Sequence, residues 1–199
     1  MSLMDRKVIL ASASPRRVEL LQSEFGVEHE VIPADVDEES VVGDTMEETA
    51  MKRAELKLST VLKRISDEKE AIVIAVDNVV DFNGEIIGKP VVPSKQRDML
   101  LAFSGKRHRA IAGIALYDCA TGQLLNDVAV AEIDVMDLSE KQKEMEYYID
   151  SGKGLYSAGG YDYRGDDLEW MIAAVRGSRS AIRGLPVELL RKMLKKLEG

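Results

Sequence analysis

The stretch that decides the fold is KVILASASPRRVELL, residues 7–21, in which a short apolar run leads into a helical pattern. The apolar run Val8–Ala11 has the length of a buried strand, and the Ser-Pro pair that follows is a favourable helix start. Arg16 and Arg17 then fall in the first helical turn, where the helix dipole already carries roughly half a positive charge. Either these side chains bend away into solvent, or they and the unpaired backbone N–H groups bind an anion such as a phosphate.

Strands and helices alternate along the rest of the chain. A long helix is predicted from Met46 to about Ile65, because Thr45 and Glu48 form a capping box at its start. The apolar run Ala71–Val76 is typical of a strand buried on both faces. Further helices are predicted over residues 15–25 and 94–103, from 139 toward 149 and from about 186, with strands over 7–11, 109–118 and 124–137 and a loop or short strand over 31–37. This order predicts an α/β fold with an elongated mixed β-sheet flanked by helices.

Composition limits the class of protein. The 199 residues carry a formal net charge of −8, which disfavours binding of a nucleic-acid polymer but allows local cations to bind a small phosphorylated ligand. A single cysteine, Cys119, fits a reducing compartment, and no apolar run is long enough to span a bilayer. We therefore predict a cytoplasmic protein without a membrane partner, and we treat residues 1–199 as one domain because no linker-like stretch divides them.

Asp77 follows the buried run and precedes a predicted hairpin. A two-residue turn at Asn83-Gly84 would pair Phe82 with Glu85 and, counting outward, bring Lys89 to the open end of the hairpin near Asp77. A carboxylate at the rim of an α/β sheet is a candidate ligand-binding group, although a strand-end salt bridge between Asp77 and Lys89 is the commoner arrangement.

An acidic cluster made of Asp35, Asp37 and Glu38 lies in a predicted loop. Such clusters are usually solvated, but carboxylate oxygens also suit Mg²⁺ or Mn²⁺. The spacing alone leaves both interpretations open.

Several stretches resemble the signature of the Maf family of nucleoside triphosphate pyrophosphatases. LASASPRRVELL is the most specific, and the shorter matches follow in order along nearly the whole chain: PADVDE (33–38), AVDNVV (75–80), GKP (88–90), FSGKRH (103–108) and RGLPVELL (183–190). The resemblance implies a sheet similar to that of the inosine-triphosphatase-like proteins, with two lobes around a central cleft. It also implies hydrolysis of a nucleoside 5′-triphosphate to the monophosphate and pyrophosphate with Mg²⁺ or Mn²⁺.

The resemblance further implies roles for individual residues. Asp77 matches the catalytic acid, which would serve as general base and metal ligand, and Glu38 matches the other metal-site carboxylate. The residues expected to bind the phosphates are Ser14, Arg16, Arg17, Arg53, Lys89 and Lys153. Arg53 falls where the family usually has a lysine, and Lys153 with Tyr156 loosely matches a Lys-Ala-Gly-x-Tyr block. His108 is expected to be a pocket-shaping residue without a catalytic role.

Three departures from the family pattern leave the preferred nucleobase open. Asn78 and Ala112 stand where threonine is common, and Gly159 falls roughly where a glutamine is typical. Two other functions stay open as alternatives, namely a non-catalytic nucleotide-binding regulator linked to cell division and a pyrophosphatase of the inosine or xanthosine triphosphate type. Family likeness also suggests a homodimer.

Overall fold

A computed structural model describes residues 6–164 and 168–197. The strands of the described residues are β1 (Val8–Leu10), β2 (His29–Val31), β3 (Ile72–Phe82), β4 (Glu85–Ile86), β5 (Arg107–Asp118), β6 (Leu124–Val135) and β7 (Ile172–Gly177). The α-helices are α1 (Pro15–Phe25), α2 (Met46–Arg64), α3 (Pro93–Phe103), α4 (Gln142–Asp150), α5 (Arg179–Ile182) and α6 (Val187–Leu197). None of the helices within these ranges is long and apolar enough to cross a membrane.

The strands form a mixed sheet in the order β2-β1-β3-β5-β6-β7, with β4 paired to the end of β3. β1 runs parallel to both β2 and β3, and the remaining pairs are antiparallel. The predicted α/β class with a mixed sheet flanked by helices is confirmed.

The first helix begins and ends as predicted. Ser14 occupies the N-cap position with extended backbone angles, although its side chain caps no N–H of a described residue. Leu20 and Leu21 bury the apolar face of α1, and Gly26 ends the helix in the left-handed conformation with φ 64°. The local sequence was sufficient to predict both ends of α1, because the preceding apolar run, the proline at its start and the glycine at its end are all short-range signals.

The hairpin after β3 also has the predicted turn. Asn83 and Gly84 both have positive φ, 56° and 85°, as a two-residue turn of this kind requires, and Phe82 pairs with Glu85. β4 is only two residues long, but the amide of Ile87 still donates to the carbonyl of Val80 at 2.8 Å. Lys89 therefore follows the strand rather than lying within it.

Other elements differ from the predicted ones. β2 spans His29–Val31, so the segment over 31–37, predicted as a loop or short strand, is strand only at its first residue and loop beyond it. α4 begins at Gln142 with Lys141 at its N-cap position, so Ser139 does not start it. β7 and the short helix α5 were not predicted, since neither has a strong apolar periodicity.

Two apolar clusters meet along the long central strands. One gathers Val76 on β3 with side chains of α1 and α6, and the other gathers Val80 with side chains of α3 and α4. α2 covers the opposite face of the sheet, where Ala54 and Leu58 pack on Val73 of β3. Asn78 lies between Val76 and Val80 on that face of β3, whereas the Asp77 side chain points to α2 on the opposite face, and the cavity described next is lined by both residues.

Candidate active site

A cavity of about 530 Å³ lies between the start of α1, the middle of β3 and the loops that precede α2 and α6. Six of the residues predicted to form the site line it: Ser14, Arg16, Arg17, Glu38, Asp77 and Lys89. They come from four separate parts of the chain, so the fold brings together most of the set that the sequence suggested.

A lysine joins the two carboxylates of the cavity. The Lys57 ammonium donates to Asp77 Oδ1 at 2.6 Å and forms an ion pair with Glu38. Burial of Glu38 would raise its pKa, but the hydrogen bond and the charge of Lys57 outweigh that effect and hold the pKa below its usual value. Asp77 is only 3% exposed, and its Oδ2 has no hydrogen-bond partner among the described residues.

Lys57 replaces Arg53 as the cation that α2 supplies. Arg53 lies one helical turn earlier, and its Nε donates to the carbonyl of Val41 at 2.9 Å, outside the residues that line the cavity. The prediction that Arg53 lies among the phosphate-binding residues is therefore not supported by its position. Arg53 and Lys57 are four residues apart and therefore lie on one face of α2. This spacing is the sequence feature that could have identified Lys57 as a second candidate cation.

A glycine allows α2 to approach the sheet beside Asp77. Gly113 on β5 is the register partner of Asp77. A Cβ at this position would lie 2.3 Å from the carbonyl oxygen of Ala50 on α2, closer than real contacts allow. The missing side chain thus lets the helix that carries Lys57 lie close to the strand that carries Asp77.

Three neutral oxygens fix the Arg17 guanidinium. It donates through Nη1 to Ser12 Oγ at 2.8 Å, through Nε to the Gly184 carbonyl at 2.9 Å, and through Nη2 to Asn78 Oδ1 at 2.7 Å. Burial lowers the pKa of Arg17, while the charges of Asp77 and Glu38 oppose that shift. A guanidinium stays protonated under such conditions, so the cavity holds a fixed positive charge here.

Arg16 has a different kind of partner. Its guanidinium forms an ion pair with Asp162, and both side chains are mostly buried. Burial, followed by the nearby charges of Arg164 and Arg183, lowers the pKa of Arg16 to about 10. Within the part of the chain that the structure describes, Arg16 Nη2 is buried without a hydrogen-bond partner. The arginines of the first turn therefore do not bend away into solvent.

The segments that carry Lys89 and Lys153 contact each other through their backbones. The amide of Val91 donates to the Leu155 carbonyl at 3.0 Å, and the amide of Gly159 donates to the Gly88 carbonyl at 3.1 Å. Lys89 and Tyr156 line the cavity, whereas Lys153 is outside the lining set. The proposed phosphate contact of Lys153 thus has no support from its position.

His108 belongs to the core. Its ring stacks on Phe103 with 4.2 Å between centroids, and its Nε2 lies 2.7 Å from the Tyr161 hydroxyl. Burial lowers the pKa of His108 to about 4, so the imidazole is neutral at physiological pH. This geometry fits the pocket-shaping role expected for His108.

The three departures from the family pattern have distinct surroundings. Asn78 lines the cavity, accepting from Arg17 and donating through Nδ2 to the Ala181 carbonyl at 3.0 Å. Ala112 is fully buried in β5 opposite Asn78. Gly159 has φ 77°, and a Cβ there would lie 3.2 Å from the ring of Tyr161, so the Tyr161 ring occupies space that a larger side chain would need.

The donor set near Asp77 fits a divalent cation of the Mg²⁺ class. Asp77 Oδ2 is a buried oxygen without a hydrogen-bond partner in the described ranges. The Glu38 carboxylate lies nearby, because Lys57 forms ion pairs with both Glu38 and Asp77. The residues 6–164 and 168–197 contain no group of three or more His, Cys, Asp or Glu side chains arranged to hold a metal ion. A pair of carboxylates is nevertheless what Mg²⁺ takes when phosphates and waters complete its coordination.

One cavity that holds two carboxylates and several cations defines a site suited to a small polyanion, and it lies at the middle of β3 rather than at the rim of the sheet, where the sequence placed Asp77. The chain belongs to the Maf family, because the family model described as "Maf-like protein" matches residues 7–197. The family expected from the sequence is confirmed.

Relatives at the sequence level cover nearly the whole chain. A dTTP/UTP pyrophosphatase of Caldicellulosiruptor saccharolyticus is 33% identical over 193 residues, covering 96% of this chain and 95% of the relative. A dTTP/UTP pyrophosphatase of Clostridioides difficile is 34% identical over 189 residues, covering 95% and 94%. Among solved structures, a HAM1 protein from Coxiella burnetii has a TM-score of 0.52 at 14% identity, covering 96% of this chain and 99% of that chain. The last likeness concerns the fold alone.

Proposed function

We propose that this protein hydrolyses a pyrimidine nucleoside 5′-triphosphate, of the dTTP or UTP class, to the monophosphate and pyrophosphate. The broader class, a hydrolase that cleaves the phosphoanhydride of a nucleoside triphosphate, is confirmed by family membership and by the relatives. One observation carries the assignment of the site: a single cavity contains the Asp77–Lys57–Glu38 cluster together with the arginines of the first helix.

In this proposal the triphosphate lies between the start of α1 and the carboxylate cluster. Arg17 is already fixed by neutral acceptors, so its charge acts on the ligand without rearrangement. Arg16, Lys57 and Lys89 supply further positive charge around the cavity, and Ser14 with the helix N-terminus adds polar donors. These groups together neutralise the charge that builds up on the phosphates in the transition state.

Asp77 is the proposed general base. Water attacks the α-phosphorus, the bond to the α–β bridging oxygen breaks, and pyrophosphate leaves with that oxygen. Asp77 Oδ2 accepts the proton of the attacking water, while Oδ1 stays hydrogen-bonded to Lys57. Lys57 thereby holds the carboxylate in one orientation throughout the reaction.

Glu38 and Asp77 would hold the divalent cation. When bound, such a cation polarises the phosphoryl oxygens and lowers the pKa of a coordinated water. The protein would contribute two oxygen ligands and leave the other positions to phosphate and water.

The test is a panel of dTTP, UTP, CTP, ITP and XTP incubated with the protein and Mg²⁺, with pyrophosphate and orthophosphate measured separately. We expect pyrophosphate release to be fastest with dTTP or UTP. Fastest turnover of ITP or XTP would support the inosine-type alternative instead. Nucleotide binding without turnover would support a regulator, and release of orthophosphate would contradict the reaction class.

A further inference from the structure

The two arginines of the first turn are held by partners of different charge. Arg17 is fixed by three neutral oxygens, which orient its guanidinium without cancelling its charge. Arg16 instead forms an ion pair with Asp162, where the side chains are only 16% and 13% exposed. Arg17 therefore has neutral oxygens as its direct partners, whereas the charge of Arg16 is already balanced by a carboxylate in direct contact.

Asp162 is held firmly in place. Its backbone N–H donates to the Tyr148 hydroxyl at 2.8 Å, and its sequence neighbours Tyr161 and Tyr163 are buried in the apolar cluster of α3 and α4. The second carboxylate oxygen accepts from Arg164 Nε at 2.6 Å. The fold thus presents a carboxylate at a fixed position against the start of α1.

Positive charge converges around this carboxylate. Arg183 lines the same cavity as Arg16, and both Arg183 and Arg164 are close enough to lower the pKa of Arg16. Arg16 also keeps one buried donor, Nη2, that donates to no partner in the described ranges. An incoming anion can therefore reach Nη1 only by displacing Asp162, and Nη2 offers it a second donor on the same guanidinium.

We propose that Asp162 is an internal counter-ion that occupies the place of a substrate phosphate at Arg16 and is exchanged for it when a polyphosphate binds. The proposal rests on the proposed function, since it requires phosphates at Arg16. Carboxylate and phosphate oxygens both match the guanidinium fork, so they compete for it. Asp162 consequently stabilises the empty protein, because it pairs a buried charge, and it weakens the binding of polyphosphate.

The opposite signs of these two effects give a sharp test. Asp162→Asn keeps the shape and a hydrogen-bond acceptor for Arg16 but removes the negative charge. We expect its dissociation constant for pyrophosphate with Mg²⁺, measured by calorimetry, to fall by roughly threefold to tenfold. The melting temperature should fall by several degrees at the same time. Unchanged or weaker pyrophosphate binding would overturn the proposal, since a purely structural role predicts loss of both binding and stability.

Matched variants isolate the effect. Asp134→Asn removes a carboxylate that also pairs with two arginines, Arg107 and Arg176, but neither of these arginines lines the cavity as Arg16 does, so its pyrophosphate affinity should match the wild type. Asp162→Glu keeps the charge and should retain an affinity close to that of the wild type. In an Arg16→Gln background the gain from Asp162→Asn should vanish, and a gain that persists there would refute the exchange.

The proposed function fails by a different outcome. If the wild-type protein releases no pyrophosphate from any triphosphate, the hydrolase assignment is wrong, whatever the variants do to pyrophosphate binding. If it turns over normally while Asp162→Asn binds pyrophosphate no more tightly, only the counter-ion role is wrong.

Discussion

At the scale of single residues, the two oxygens of Asp77 have different surroundings. Oδ1 accepts from Lys57 at 2.6 Å, and Oδ2 has no partner within residues 6–164 and 168–197. Asp77→Asn keeps the acceptor for Lys57 but removes the basic oxygen. We expect kcat to fall by about 100-fold to 10,000-fold, measured as pyrophosphate release at saturating substrate and Mg²⁺. Near-normal turnover in a folded variant would remove Asp77 as the base.

Glu38 provides the comparison, because it is a proposed metal ligand without a role as base. Glu38→Gln should raise the Mg²⁺ concentration needed for half-maximal activity, and saturating Mg²⁺ should restore most of kcat. Asp77→Asn should not recover in this way. Equal recovery of both variants would mean that Asp77 acts only through the metal.

Lys57 and Arg53 form a natural pair of test sites on one face of α2. Lys57→Gln leaves two carboxylates without their shared cation, so we expect kcat/KM to fall by about 100-fold. Arg53→Gln removes a bond to the Val41 carbonyl outside the cavity and should change kcat/KM by less than about threefold. Thermal denaturation of both variants checks that they fold. A larger catalytic loss in Arg53→Gln would show that Arg53, as first expected, is the functional cation.

At the scale of elements, the close approach of α2 to β5 positions the carboxylate cluster. Gly113→Ala would place a Cβ 2.3 Å from the Ala50 carbonyl oxygen, so the helix must shift. We expect a loss of about 1–3 kcal/mol in the free energy of unfolding, measured with urea, together with a fall in kcat. The backbone contact, rather than a flexible side chain, makes relief of this clash costly.

Gly88→Ala is the matched control for that substitution. An added Cβ at Gly88 meets nothing within 4 Å, although the residue directly precedes Lys89. Its unfolding free energy should stay within about 0.5 kcal/mol of the wild type. Equal destabilisation by the two substitutions would show that the α2–β5 contact is not the cause.

Elements with short-range signals could be predicted from the sequence. α1 is set by Pro15 and Gly26, and the hairpin after β3 is set by Asn83-Gly84, so both have the expected positions. α4 shows the limit of such signals, since the Ser139 capping pattern did not start the helix. Tertiary packing decides helix ends where several local starts compete.

Contacts between distant parts of the chain could not be predicted in the same way. The likeness to a family placed Asp77, Glu38 and Lys89 at one site, and the structure brings them to one cavity. Lys57 was missed because Arg53 and Lys57 lie one helical turn apart on the same face of α2. Which of them reaches Asp77 depends on where the helix approaches β3, and the sequence does not show this. Asp162 was missed because its loop has no periodicity that would place it against α1.

At the scale of the whole molecule, local charge and net charge have opposite signs. The chain carries −8 overall, yet the cavity is lined by five cations: Arg16, Arg17, Lys57, Lys89 and Arg183. A cavity of this kind attracts a small polyanion, while the acidic exterior disfavours a nucleic-acid polymer. The homodimer and the cytoplasmic location stay predictions.

Buried His108 makes the stability of the whole molecule depend on pH. Its pKa is lowered from 6.5 to about 4 by burial, so the unfolded chain binds a proton that the folded protein excludes. A depressed histidine pKa therefore costs stability as pH falls through 6.5, and the loss levels off below about 4. Linkage gives about 3 kcal/mol between pH 8 and pH 4. His108→Gln should lack this pH-dependent component. The free energies of unfolding of variant and wild type, measured with urea, should therefore approach each other by that amount as pH falls from 8 to 4. A constant gap, or an imidazole proton resonance of His108 that titrates near 6.5, would contradict the buried neutral ring that stacks on Phe103 and shapes the cavity wall through Tyr161.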